Sequence, residues 1–183
     1  FYARSGRGKS ALTTYDAVHL AREGANVLMW TLEMSSYEVM SRMFTFYSAM
    51  EGKTIYKDDE TLAEYEAGFE ANKIRSGQLD GNMEQDFLSM IDTMNQSMKG
   101  NIFIRSVDDE DFYSRDLKQL ESDIDSVNAD VVVIDPFYYM DYETNRSKTA
   151  GGDAAETRKK LRRLSGNKDG VVFAITQAEE DEK

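Results

Sequence analysis

The first ten residues constrain the fold more than any other stretch. Phe1-Tyr2-Ala3-Arg4-Ser5-Gly6-Arg7-Gly8-Lys9-Ser10 reads as a phosphate-binding loop running straight into a helix. Gly6 and Gly8 permit a tight turn with inward N–H groups, and the helix start adds its positive dipole end. Such a cradle suits a polyphosphate, so Arg4, Ser5, Gly6, Arg7, Gly8, Lys9, Ser10 and Ala11 are the candidate nucleotide-binding residues. Lys9 is placed to reach the β- and γ-phosphates, and the Ser10 hydroxyl to ligate Mg2+. The strict pattern G-x-x-x-x-G-K-[ST] has glycine where this chain has Ala3, so the rest of the chain must decide. A loop of this kind follows a buried strand, and only Phe1 and Tyr2 represent one, so the chain reads as part of a longer protein.

The remaining pattern alternates between helix and strand. Leu12, Tyr15, Ala17, Val18 and Ala21 recur at helical spacing from Ser10 to about Glu23, and Gly24 offers a stop. Asn26 to Leu32 is a short apolar run without helical period, as in a strand buried on both faces. Ser35-Ser36-Tyr37-Glu38 has capping-box spacing and opens a helix to about Met50, with Val39, Met40, Met43, Phe44 and Tyr47 inward. Residues 51 to 100 are acidic and helical in texture, with helices expected near Asp59 to Asn72 and Asn82 to Met98. The methionine stripe of the latter (Met83, Met90, Met94, Met98) reads as packing, with a methionine-rich partner groove as the functional alternative. Ile102 to Arg105 is a strand, Ser114 caps a helix to about Val127, and the acidic runs at 58–60 and 108–111 are solvated helix approaches.

Asp130-Val131-Val132-Val133-Ile134-Asp135 is the pattern of a central parallel strand that delivers a carboxylate to the sheet's C-terminal edge. A polar loop follows from Asp141 to Gly152, then a basic helix from about Asp153 to Leu164, then a strand from Val171 to Thr176 ending at Gln177. This order predicts an α/β chain with a doubly wound, mostly parallel sheet flanked by helices, truncated at both ends, with residues 1–183 forming one domain.

Composition removes several classes of function. With no cysteine and the single His19, disulfides, thiolate metal sites and histidine clusters are excluded, so an expected metal is hard and oxygen-bound. His19 falls to packing or solvent. No apolar run is long enough to span a membrane and no signal peptide is visible, which suggests a cytoplasmic protein. The net charge of −12 lies in the middle, where residues 51–130 carry 8 basic against 20 acidic groups. A broad basic face for nucleic acid is not expected, although a local basic loop remains open. The basic run Arg158-Lys159-Lys160 with Arg162 and Arg163 reads first as a solvated helix face.

Ligands in open α/β sheets sit outside the carboxyl ends of the strands, where the phosphate loop, Glu33, Asp135 and Gln177 converge. Phosphoryl transfer needs charge neutralisation and an oriented nucleophile. Lys9 neutralises phosphate, Ser10 and Asp135 hold hydrated Mg2+, Glu33 accepts a proton from attacking water, and Gln177 senses the γ-phosphate. Each residue has a plainer use: Asp135 as a cap, Glu33 as the partner of an arginine, Gln177 as a backbone amide ligand.

Ala3-Arg4-Ser5-Gly6-Arg7-Gly8-Lys9-Ser10 resembles the A-R-P-S-x-G-K-[ST] loop of DnaB-type replicative helicases, which often have alanine where the general motif has glycine. Thr31-Leu32-Glu33-Met34-Ser35 resembles their S-L-E-M-S segment, Ile74-Arg75-Ser76-Gly77-Gln78-Leu79 their L-R-T-G-x-L segment, and Thr176-Gln177 their S-Q sensor. Ile102 to Asp109 is similar to the strand ending in paired aspartates, and Val131 to Met140 to the strand ending D-Y-L-Q-L-M. Pro136 and Phe137 depart from that ending, and Ala-Glu-Glu after Gln177 departs from Leu-Asn-Arg. The resemblance implies a RecA-like P-loop motor that hydrolyses ATP with Mg2+, with Glu33 as base and Asp135 behind the metal. It further implies a homo-hexamer around single-stranded DNA, a primase or helicase loader as partner, and a bacterial cell or phage-infected host. Arg146 and Lys148 in the 141–152 loop are the candidate DNA contacts. A RadA- or KaiC-like ATPase and a nucleotide-dependent assembly module without unwinding activity are the alternatives.

Overall fold

A computed structural model describes residues 2–4, 6–144 and 151–177 of the chain. In chain order the elements are β1 (Tyr2–Ala3), α1 (Lys9–Glu23), β2 (Asn26–Thr31), α2 (Ser36–Met50), β3 (Thr54–Lys57) and β4 (Glu64–Ala67). There follow α3 (Ala71–Ser76), α4 (Gly81–Ser97), β5 (Asn101–Ser106), α5 (Leu117–Val127), β6 (Val131–Asp135), a 3-10 turn (Phe137–Tyr139), α6 (Gly152–Asn167), β7 (Val171–Ala174) and β8 (Thr176–Gln177). Strands β5, β2, β6 and β7 form a parallel sheet in that order, and β1 pairs in parallel with β8. The peptide of Ile175 carries pairing across the β7–β8 break, its N–H donating to Ile134 and its carbonyl accepting from Phe137.

Strand alternation sorts the core into two layers. Val27, Met29, Val131 and Val133 face α1, α2, α3 and α4, while Leu28, Trp30, Val132 and Ile134 face α5 and α6. With helices on both faces, the central strands are apolar throughout, and all five residues of β6 are buried. Met83, Met90, Met94 and Met98 pack on the first layer, as expected of the methionine stripe. The buried Trp30 donates its indole N–H to Asp123 at 2.9 Å and meets Phe112 edge-on.

The acidic middle departs from expectation. The segment expected to be helical near Asp59 to Asn72 instead holds the antiparallel β3–β4 hairpin and, from Ala71, the short α3. Asp58 accepts from the backbone N–H groups of Glu60 and Thr61 and closes the hairpin turn, so its run is a turn and not a helix approach. The 108–111 run likewise turns back on β5, where Arg105 bridges Asp109, Asp111 and Asp123. Helix α5 is capped by Asp116, which accepts from the Gln119 N–H at 2.8 Å, and not by Ser114. Met40 lies on the exposed side of α2.

Gly68 fastens the hairpin to α2. A Cβ there would stand 2.5 Å from Ser48 Oγ and 2.6 Å from the Ala49 nitrogen, and closer still to the Thr45 carbonyl oxygen. These atoms belong to packed helix, and Ser48 Oγ accepts from the Phe69 N–H at 2.9 Å. Gly68→Ala is therefore expected to destabilise the protein by about 2 kcal/mol through overpacking. An unchanged denaturant midpoint would contradict this close approach.

Candidate nucleotide site at the carboxyl edge of the sheet

The sheet register assembles the site. Thr31 of β2 is paired with Asp135 of β6, and the Leu32 N–H donates to the Asp135 carbonyl at 2.7 Å. Glu33, one residue further, therefore leaves the sheet beside Asp135. Ala3 of β1 is paired with Gln177 of β8, which sets the start of the phosphate loop beside that amide. Gly6 and Gly8 have φ of 70° and 77°, the left-handed turns that the loop demands, and Gly8 immediately precedes α1.

These elements enclose a cleft of about 600 Å³ lined by Gly6, Arg7, Gly8, Lys9, Ser10, Ala11, Glu33, Asp135 and Gln177. Met34, Glu38, Arg42, Pro136, Tyr138 and Ile175 complete its wall. Arg4 is exposed, and its carbonyl accepts from Lys9 Nζ at 2.8 Å. Ser5, Arg146 and Lys148 lie outside the described residues. On α6, Arg158, Lys159, Arg162 and Arg163 are exposed, while Lys160 pairs with Glu143 at 2.6 Å.

Three carboxylates line the cleft, and their surroundings differ. Asp135 is buried and accepts a hydrogen bond from the Ser10 hydroxyl. Burial raises its pKa above the usual carboxylate value, against the opposing pull of that bond and of the Arg42 and Lys9 charges. Glu38 is engaged by Arg75 at 2.5 Å, which ties α3 to the cleft wall. Glu33 is exposed and has no ion pair among the described residues. It is the cleft carboxylate most open to water. Among the described residues no cluster of three or more acidic or histidine side chains could hold a metal. The Ser10–Asp135 pair suits Mg2+, which takes few protein ligands and keeps water and phosphate oxygens.

Glu38, Arg42 and Tyr138 were not singled out from the sequence. Glu38 and Arg42 are four apart on α2, one face of a helix whose phase is set by Ser35, which accepts from the Glu38 N–H at 3.2 Å. That spacing, counted from a cap next to Glu33, was the available signal. Tyr138 had none, because its place depends on the turn after β6.

The family described as DnaB-like helicase C terminal domain matches residues 1–182. No curated protein matches the chain. Among solved structures, an isolated ATPase domain superposes with a TM-score of 0.69 at 16% identity, covering 98% of this chain and 56% of that one. "The Structure Of A DnaB-Like Replicative Helicase And Its Interactions With Primase" superposes with a TM-score of 0.67 at 16% identity, covering all of this chain and 40% of that one. The chain thus spans about half the length of the structures it resembles, and their likeness concerns the fold, which is RecA-like.

Proposed function

The chain belongs to the DnaB-like helicase C-terminal domain family, and on that footing we propose that residues 1–183 form one motor domain that hydrolyses ATP with Mg2+ to move along single-stranded DNA and unwind duplex. The observation that carries this reading is the meeting, in one cleft, of a phosphate loop, a buried carboxylate bonded to the loop serine, and a separate carboxylate open to water. An assembly module needs only the first two. A hydrolase also needs the third.

In this reading the loop N–H groups and Lys9 hold the β- and γ-phosphates, and Arg42 supplies further positive charge from α2. Mg2+ bound near Ser10 neutralises charge developing on the phosphates. Ser10 offers its hydroxyl to the metal, and Asp135 accepts from the groups around it. Glu33 takes the proton of an attacking water, and Gln177 donates to the γ-phosphate. Single-stranded DNA, a homo-hexameric ring, and a primase or helicase loader are the partners proposed for the whole protein, with Arg146 and Lys148 as backbone contacts to DNA.

Lys9→Ala is expected to weaken ATP binding by about tenfold or more, the loss of one charge-assisted contact. Nucleotide titration checks it, and wild-type affinity would remove Lys9 from the phosphate site. Hydrolysis by the whole protein should rise on adding single-stranded DNA. Turnover indifferent to DNA would favour the assembly module.

A further inference from the structure

Tyr138 stands in the cleft without a part in the chemistry above. It belongs to the 3-10 turn after β6, and its hydroxyl donates to Gln177 Oε1 at 3.2 Å. The turn is tied to the strand that carries Gln177, since the Phe137 N–H donates to the Ile175 carbonyl at 2.7 Å. Tyr139 meets the Tyr138 ring edge-on at 4.8 Å between centroids, which limits its swing. Burial, then the charges of Glu33, Tyr139 and Asp135, raise the Tyr138 pKa above that of an ordinary phenol. The hydroxyl therefore keeps its proton through the neutral range and stays a donor.

An amide has two unlike ends, an oxygen that accepts and an NH2 that donates. Its terminal torsion is broad and nearly two-fold, so an exposed glutamine presents either end to a ligand. For a phosphate the difference decides between attraction and repulsion. With Oε1 engaged by a phenol that donates, the Nε2 protons are left for another acceptor.

We propose that Tyr138 is a positioning residue that fixes the Gln177 amide with Nε2 available to the γ-phosphate of bound nucleotide. The turn after β6 and the end of β8 then respond to the same phosphate. This rests on the reading of Gln177 as the γ-phosphate sensor, and it adds how that amide is kept in one orientation. Phenylalanine keeps the ring and removes the donor, so Tyr138→Phe isolates the effect.

The test is a double-mutant cycle in the whole protein, measuring kcat, KM, and the separate affinities for ATP and ADP. Tyr138→Phe is expected to lower kcat about fivefold to tenfold and to weaken ATP binding relative to ADP, the loss of one hydrogen bond's worth of orientation. The melting temperature should not move. In a Gln177→Ala background the same substitution should change nothing further. Gln177→Glu keeps an acceptor for Tyr138 but has no donor for phosphate, and should be as impaired as Gln177→Ala. Wild-type turnover in Tyr138→Phe, or losses that multiply across the cycle, would overturn the role of Tyr138 while leaving the sensor intact. Wild-type turnover in Gln177→Ala would overturn the sensor reading and this proposal with it.

Discussion

Glu33→Gln is expected to reduce ATP hydrolysis by about 10²- to 10⁴-fold, the range for loss of a general base, while nucleotide affinity stays within about threefold of wild type. The amide is isosteric and still hydrogen-bonds water, but it cannot take the proton. The other cleft carboxylates are poorly placed to substitute. Asp135 is buried against the Ser10 hydroxyl, and Glu38 is held by Arg75 at 2.5 Å. Little structural loss should accompany the change, because Glu33 is exposed and without an ion pair among the described residues. Single-turnover hydrolysis beside equilibrium binding of a fluorescent nucleotide separates the two effects. Undiminished single-turnover hydrolysis would sink the base assignment. Loss of binding in parallel with turnover would instead make Glu33 a support of the loop.

The readable parts of the sequence were those whose signal is local. The Gly6–Gly8 loop, the Ser35 cap with Glu38 three residues on, and the β-branched run of β6 each state their geometry within a few residues, and each element formed close to its expected bounds. The 54–67 hairpin was missed because its strands are four residues each and sit among acidic residues that suggested a solvated helix. Thr54, Ile55 and Tyr56 carried the strand preference, but the decisive feature was the Asp58 side chain, which turns the chain by bonding two backbone N–H groups. Ser114 and Asp116 are both good cap residues, and only the helix phase that buries Leu117, Leu120 and Ile124 chooses between them.

The candidate site divides in the same way. Lys9, Ser10, Glu33, Asp135 and Gln177 follow or end regular elements, so sheet topology alone brings them to one edge. Tyr138 does not. Its hydroxyl reaches Gln177, 39 positions along the chain, because the Phe137 N–H bonds back to the Ile175 carbonyl, a contact that no local pattern encodes. The link from Arg75 to Glu38 is of the same kind, joining α3 to the cleft across the whole hairpin.

Asp135→Asn should move activity and stability in opposite directions. Asp135 is 7% exposed, and burial is the largest influence on its carboxyl, outweighing the Ser10 hydroxyl and the charges of Arg42 and Lys9. Its pKa is accordingly raised in the folded state, so the native protein binds that proton more tightly than the unfolded chain does. Ionised Asp135 therefore costs stability at neutral pH, and the cost fades as pH falls through the folded pKa. Asparagine keeps an oxygen for Ser10 and carries no charge to bury, and the cleft leaves water within reach of its new donors. In EDTA and without nucleotide, the variant should melt about 2–4 °C higher at neutral pH, as for a gain of ~1 kcal/mol in a domain of this size. That advantage should shrink at acid pH, where the wild-type carboxyl is also neutral. Mg2+-dependent hydrolysis should fall by about 100-fold, since the group that orients the metal's surroundings has lost its charge. Calorimetry from acid to neutral pH, beside a Mg2+ titration of turnover, reads both effects. A variant that melts below wild type at neutral pH would mean that Arg42, Lys9 and Ser10 more than repay the burial of the ionised carboxylate. Asp135 would then be a structural anchor of the cleft as well as a candidate for its chemistry.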